Sequence, residues 1–400
     1  MANYTYPNEI ELQWSILVVL YPYITGLVAG AFILASLERV FSVDAVKPTY
    51  RLALLTALAF LLVAPLPLQL HLGHPERSLE MYTTPHTSSA MAMFGFVYLW
   101  YLMVVLVLEI WLEFRRDIVL RAQSTTGALG LVYKAMTLGS MNISPGALEL
   151  DERVGYIITI IGIPSAFFLH GYVGFIFGSL KANPWWSSPL MPVVFIFSAM
   201  VSGIAAVMVL YMLATKLRGQ RIDQACVDAI AKYLFYTFII DFSLEMLDLI
   251  HRIYEADESF RSLNFMVHTS LWVPHVLIQL LLGTLVPILM LGATQVRTFD
   301  PLMRRKIYGV AGCLTLVGIF AMRWNVVIGG QLFWNSLLGY STYKMPMWTR
   351  EGLGTSIFLA LLPLGILYVL VKLLPPWAAS EPEAGLRGLH AETSGGRVGA

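Results

Sequence analysis

The chain has 400 residues, of which 57% are hydrophobic and 13% charged, about half the charged share of a soluble domain. Its mean hydropathy is +0.69. That composition excludes an ordinary soluble domain and describes a polytopic membrane protein, all-α, because only helices and closed barrels satisfy their backbone in lipid. The formal charge of +1 gives no electrostatic case for nucleic acid, and two cysteines, Cys226 and Cys313, supply neither a disulfide framework nor the four thiolates of an iron–sulfur cluster.

The opening residues MANYTYPNEIELQW lack the basic start of a cleavable signal peptide, so the first membrane helix is expected to direct insertion. Stretches of about 20 mostly apolar residues predict nine spans, within a range of eight to ten: approximately 14–37, 51–70, 90–112, 154–180, 189–215, 230–251, 266–293, 307–330 and 353–374. The Gly-rich segment 125–147 with Lys134 is expected to be a surface or half-inserted helix. The residues after Pro375-Pro376 read as a disordered tail, 376–400. The whole of 1–375 is expected to form one bundle, with 14–215 and 226–374 as its two parts.

Lys and Arg set the expected orientation. Arg39, Lys47 and Arg51 follow the first span; Arg115, Arg116, Arg121, Lys134 and Arg153 follow the third. Lys216, Arg218, Arg221 and Lys232 follow the fifth, and Arg297, Arg304, Arg305 and Lys306 the seventh. The positive-inside rule makes these loops cytoplasmic and the N-terminus external.

The polar residues can then be placed in depth. The first span holds Tyr21, Pro22 and Tyr23, then GLVAG (Gly26 to Gly30), a small-residue packing signature. Glu109 and Glu113, one turn apart near the inner end of the third span, are candidates to open a cytoplasmic proton path. The fourth span, within Ile160–Trp186, carries Pro164, Ser165, His170 and Tyr172, with Gly171, Gly174 and Gly178 where a helix or flat ligand can approach the backbone. At about 1.5 Å per residue, Tyr172 falls roughly 7–8 Å to the outer side of that helix's centre. Asp241, Glu245 and Asp248 share one face of the sixth span. His268, His275 and Gln279 follow in the seventh, and Arg323 with Asn325 in the eighth. Ionisable groups at membrane depth mark a bundle interior or wet cavity, so one outer-side pocket is expected, with Arg323 offsetting a carboxylate. The competing account is a salt-bridge and hydrogen-bond lattice that only orders the helices. The connector Gln69–Phe96 packs His71, His74, Glu76, Arg77, Glu80 and His86 into a short external loop. It is read as a docking surface for a soluble partner in preference to a metal site, since Pro75 interrupts the histidines.

LHLGHPER in that loop, TSSAMAMFGF after it, GLVAGA in the first span and GIPSAFFLHGYVGFIFGSLKANPWW in the fourth together resemble the NrfD-like family of polysulfide-reductase membrane subunits. The similarity runs over about residues 13–205, and MRWNVVIGGQ (Met322–Gln331) looks like the longer members. The resemblance implies a subunit without haem or metal of its own in a prokaryotic plasma (inner) membrane. Such a subunit exchanges electrons between a quinone (menaquinone or ubiquinone) near the outer face and a ferredoxin-like iron–sulfur subunit, which wires to a molybdopterin-type catalytic subunit. Tyr172 of the HGY motif matches the family's quinone-contacting tyrosine. Tyr21 stands near the family's first-span histidine, and His71 where many members carry aspartate. His170 and Gly171 complete the expected quinone contacts. Asp241, Glu245, His268, His275 and Arg323 form the expected proton relay, and His71, Gly73, His74, Pro75 and Arg77 the docking surface. Two other readings remain open at this point: a haem b cytochrome using two of His170, His268 and His275, and a secondary transporter coupled through Asp241 and Glu245.

Overall fold

The computed structural model describes residues 12–255, 258–333 and 340–377. The expected disordered tail lies outside the described residues from 378 onward.

Eleven helices organise the described chain: α1 Ile16–Arg39, α2 Asp44–His71, α3 Met93–Ser124, α4 Gly127–Met136, α5 Pro145–Gly178, α6 Met191–Leu217, α7 Gln224–Glu255, α8 Glu258–His268, α9 Trp272–Val296, α10 Pro301–Gly329 and α11 Leu353–Leu373. Eight of them, α1, α2, α3, α5, α6, α9, α10 and α11, are long and apolar enough to cross a membrane. They account for eight of the nine expected spans. The ninth falls in α7, whose 32 residues make a helix of about 48 Å, longer than a ~30 Å hydrocarbon core. Asp241, Glu245 and Asp248, clustered in its second half, keep it out of the apolar class. The segment 125–147 forms only the 10-residue α4 followed by a turn, too short to span.

Capping groups fix where helices begin. Ser15 Oγ accepts from Leu17 N at 3.4 Å to open α1, and Asp300 accepts from Leu302 N at 3.0 Å ahead of Pro301 to open α10. The core lies along α1 and α6. Of α1's most apolar stretch 94% is buried, against 22% for α11 and 28% for α9, so α1 is the hub and the latter two face outward. In one half of the bundle α2 and α5 pack on α1, with α3 against α2 and α5; in the other α7 and α10 pack on α6, with α9 against α7 and α10.

The hub is possible because α1 and α6 touch backbone to backbone. A Cβ on Gly30 would stand 2.1 Å from the Ala199 carbonyl oxygen, and one on Gly203 2.4 Å from the Gly30 backbone. The GLVAG signature therefore serves helix crossing, as its spacing implies.

Three helices contain wider π-helical turns: Tyr101–Val107 in α3, Trp272–Leu285 in α9 and Asn325–Gly329 in α10. Such turns rotate the residues after them and recur at functional sites. Here two of the three deliver His275, Gln279 and Asn325 to the same place.

Candidate functional site

His170 sits at the junction of the two halves, fully buried. Arg323 Nη2 lies 3.0 Å from its Nε2, and Thr25 Oγ1 lies 3.2 Å from its Nδ1. Guanidinium only donates, so Nε2 is the acceptor and Nδ1 carries the proton toward Thr25, which donates in turn to the Tyr21 carbonyl at 3.1 Å. Arg323, also fully buried, donates a further bond to Ser198 Oγ at 2.7 Å and lies over the Phe195 ring at 4.1 Å. Both nitrogens of His170 are thus committed to protein, which leaves none for a haem iron.

The acidic stripe of α7 meets this node from the other side. Asp241 is 2% exposed, and its Oδ1 has no hydrogen-bond partner among the described residues. Arg323 acts on Asp241 and Glu245 electrostatically, but its hydrogen bonds go to His170, Ser198 and the Met322 sulfur. The expected offset of a carboxylate by Arg323 is therefore through space. Glu245 accepts from Gln279 Nε2, 3.4 Å from each carboxylate oxygen. Gln279 Oε1 accepts from His275 Nδ1 at 3.0 Å and from Asn325 Nδ2 at 2.7 Å. Three helices, α7, α9 and α10, so converge on one amide. Asp248 hydrogen-bonds Ser188 at the mouth.

Glu245, Asp248, His275, Gln279 and Asn325 line a pocket of about 110 Å³, whose apolar wall includes Met191, Val194, Leu280, Met322 and Trp185. Size decides what it suits. A cavity that holds benzene measures ~150 Å³, whereas a water occupies ~30 Å³. The pocket has the room of about four waters and the several polar partners that waters need.

Tyr172 points elsewhere. Two residues along a helix turn the side chain by about 200°, so His170 and Tyr172 face opposite sides of α5. Tyr172 stacks on Phe94 at 6.1 Å, and Phe94 meets the Tyr21 ring edge-on at 5.3 Å. The Tyr172 hydroxyl is buried and has no hydrogen-bond partner among the described residues. Tyr21 and Tyr172 thus pack on the same ring, Phe94. Gly171 is not part of this contact: Ile196 fills its open face, where a Cβ would stand 2.9 Å from the Ile196 side chain, and Gly174 and Gly178 are likewise pressed against the start of α6. Those glycines seat a helix. His268 also stands apart, exposed and bonded at 2.8 Å to the Asn264 carbonyl of its own helix.

The connector after α2 has one anchored end. His71 Nδ1 pairs with Glu351 Oε2 at 2.8 Å, and Arg350 donates to the Leu72 carbonyl at 3.3 Å. Burial alone would push the Glu351 carboxyl up; the hydrogen bonds from His71 and Ser15, with the charges of His71 and Arg350, outweigh it and hold the carboxyl below its usual range. Beyond Leu72 the loop is open: Gly73, His74, Pro75 and Arg77 are exposed, with His74 near Glu76 at 3.0 Å and Arg77 forked onto Glu80 at 3.0 Å. Among the described residues, the histidines of this loop form no metal-binding group.

A sequence profile described as "Polysulphide reductase, NrfD" matches residues 6–335. The chain belongs to the NrfD family. Three relatives give this membership context. The chain is 29% identical over 323 residues to a selenate reductase subunit of Mesobacillus selenatarsenatis, covering 79% of this chain and 73% of that one. It is 27% identical over 229 residues to a Halobacterium salinarum protein named as a dimethyl sulfoxide reductase membrane subunit; that match covers 56% and 48%. To the NrfD protein of Escherichia coli it is 27% identical over 202 residues, covering 50% and 59%. This chain thus spans about half the length of the second and somewhat more of the third. The HGY turn with Tyr172 and the LHLGHPER loop both fall inside the range that the family profile matches.

Sequence reasoning overlooked Thr25, Ser198 and Trp185. Lone Ser and Thr residues in apolar helices are common, because they can bond the turn behind them, so Thr25 and Ser198 gave no distinguishing signal. Trp185 stood in an aromatic-rich stretch with nothing to set it apart, yet its Nε1 donates to the Asn325 carbonyl at 2.8 Å.

Proposed function

We propose that this NrfD-family chain is the membrane subunit of a respiratory oxidoreductase complex, passing electrons between a membrane quinone, menaquinone or ubiquinone, and an iron–sulfur subunit docked on its outer face. The observation that carries the reading is the Tyr172 hydroxyl, a buried donor without a protein acceptor among the described residues, on a ring stacked against Phe94. Buried hydroxyls without partners are rare and ask for an explanation; a carbonyl oxygen of a flat ring, reaching the Tyr172 hydroxyl, supplies one. The residues present therefore fit a quinone, which when bound brings two-electron, two-proton chemistry. The names of the relatives, subunits of a selenate reductase and of a dimethyl sulfoxide reductase, agree with such a role.

The chain's own residues do three things in this reading. Tyr172 and Tyr21 orient the ring from α5 and α1, backed by the His170–Arg323 node that locks those helices to α6 and α10. Asp241 and Glu245 hold and release protons, with Gln279 and His275 linking them to the pocket beneath Trp185. Arg323 keeps that carboxylate pair in a positive field without a direct bond. The loop His71 to Arg77 presents a face for a ferredoxin-like partner that connects to a molybdopterin-type catalytic subunit, His71 being tied back to Glu351 and the remainder open. The N-terminus and this loop lie on the outside of a prokaryotic plasma membrane.

The test is to purify the chain with whatever it binds and follow the complex anaerobically by electron paramagnetic resonance. Added short-chain quinol, or the oxidised quinone if electrons run inward, should change the redox state of an iron–sulfur signal. A complex with no iron–sulfur signal, or one whose signal is indifferent to both, would remove the proposal. A Soret band assigned to this chain would instead restore the haem reading.

A further inference from the structure

A second buried carboxyl lies outside the site just described. Glu109 of α3 follows the π-helical turn Tyr101–Val107 and is fully buried. Its Oε1 accepts from Thr159 Oγ1 at 2.8 Å and from the Tyr50 hydroxyl at 3.2 Å, while its Oε2 has no partner among the described residues. The direction of the Tyr50 bond is fixed by its other neighbour. Arg39 Nη1 lies 2.6 Å from the Tyr50 oxygen, and guanidinium only donates, so Tyr50 accepts from Arg39 and sends its own proton to Glu109. The Arg39 group then continues to Glu113 at 2.9 Å, Glu113 to Arg51 at 2.7 Å, and Arg51 to Asp117 at 2.7 Å. Glu113 and Asp117 are 19% and 20% exposed, so the chain of polar groups begins at solvent and ends in the core. On the far side of Glu109, Tyr101 is fully buried with its hydroxyl unpartnered, and within electrostatic reach of the carboxyl. Glu38 of α1 faces the same cluster through Glu113.

This group is distant from the Asp241–Glu245 pair. Thr159 and His170 are both on α5, eleven residues apart, which is about 16 Å along the helix. Two buried carboxyl sites thus lie at different depths, one reached near Trp185 and the other from the end of the bundle where α1 closes with Arg39.

We propose that Glu109 is a proton-exchanging carboxyl, loaded from the Arg39–Arg51 end of the bundle through the Tyr50 hydroxyl, and separate from the Asp241–Glu245 relay. In the loading step Glu109 Oε1 takes the Tyr50 hydroxyl proton as the Tyr50 oxygen takes one from a hydronium ion at the Glu113 surface, which is left as water, so atoms and charge balance. Oε1, the oxygen that Tyr50 reaches, receives the proton, and Oε2 is left without a hydrogen-bond partner among the described residues. If the cluster only ordered helix ends, the carboxyl would not exchange along this route.

Infrared difference spectroscopy of the intact purified complex reads the proton directly and needs no quinone. The carbonyl band of a protonated, weakly hydrogen-bonded carboxylic acid should be present, shift in D₂O, vanish in Glu109→Gln and move in Glu109→Asp. Tyr50→Phe should keep the band but slow its D₂O shift on the order of a hundredfold, the lower end of what a positioned proton-transfer group contributes. A band unchanged in Glu109→Gln, or one absent from the native complex, overturns the proposal. So does exchange in Tyr50→Phe as fast as in the native chain. Should the glutamine variant fail to assemble, the displaced band of Glu109→Asp decides the assignment alone.

Discussion

Replacing Tyr172 with phenylalanine separates a ligand contact from a packing role, because the two predict opposite signs. The ring stays, so its stacking on Phe94 is retained. What leaves is a buried hydroxyl with no partner among the described residues. Leaving such a group unsatisfied costs ~1–3 kcal/mol, so the unliganded Tyr172→Phe protein should be as stable as the parent or more so, by up to that amount. If the hydroxyl instead donates to a quinone carbonyl, the variant loses ~0.5–1.5 kcal/mol of binding, which is a roughly two- to thirteenfold weaker affinity. Thermal unfolding of the detergent-purified complex and equilibrium binding of a short-chain quinone, measured on the same preparation, give both numbers. Tyr98→Phe is the matched control, since the Tyr98 hydroxyl donates to the Leu61 carbonyl at 3.0 Å. It should lose about 1 kcal/mol of stability and leave affinity unchanged. A Tyr172→Phe protein that is less stable than the parent by about 1 kcal/mol, with unaltered affinity, would refute the reasoning and assign Tyr172 to the fold.

Other perturbations probe the elements that hold this site. Gly30→Ala places a methyl 2.1 Å from the Ala199 oxygen and should cost more than the ~1–3 kcal/mol of ordinary overpacking, seen as lost monodisperse yield; Gly365→Ala, where nothing lies within 4 Å, should be neutral or stabilising. Arg323→Met strips Asp241 and Glu245 of their nearby cation and should destabilise by ~3–5 kcal/mol, and adding Asp241→Asn should recover part of that in denaturant unfolding. Strict additivity of the two changes would disprove the coupling. Glu351 is held below the usual carboxylate range, so its contribution is complete above the unfolded value of about 4.3 and is lost as pH falls through the lower folded one. Proteolysis of the segment 345–352 should therefore rise only in that acid window, and Glu351→Gln should raise it at neutral pH as well.

Hydropathy located the membrane helices because lipid imposes a local rule: each spanning segment must be apolar along its whole length. The same rule made His170, Arg323 and the acidic stripe of α7 conspicuous, and that stripe is what keeps α7 out of the eight apolar helices. The family motifs then singled out Tyr172 and the loop after α2. None of this said which polar groups meet. A lipid-facing side and a helix-facing side are equally apolar, so periodicity cannot tell them apart. Gly171, Gly174 and Gly178 illustrate the gap: their spacing allowed a ligand or a helix, and α6 occupies the face.

The sequence by itself determined the helical membrane architecture and the inventory of ionisable groups, since both follow from composition within single segments. Tertiary structure decided the pairings. It sent His170 to Arg323 and Thr25 and Tyr172 to Phe94, because two residues on a helix point in opposed directions. It gathered Glu245, His275 and Asn325 around Gln279, because π-helical turns in α9 and α10 shift the register that a regular 3.6-residue period would give. And it buried Glu109, which the sequence offered only as half of an acidic pair near a helix end, because Tyr50 and Thr159 arrive from two other helices to cover it.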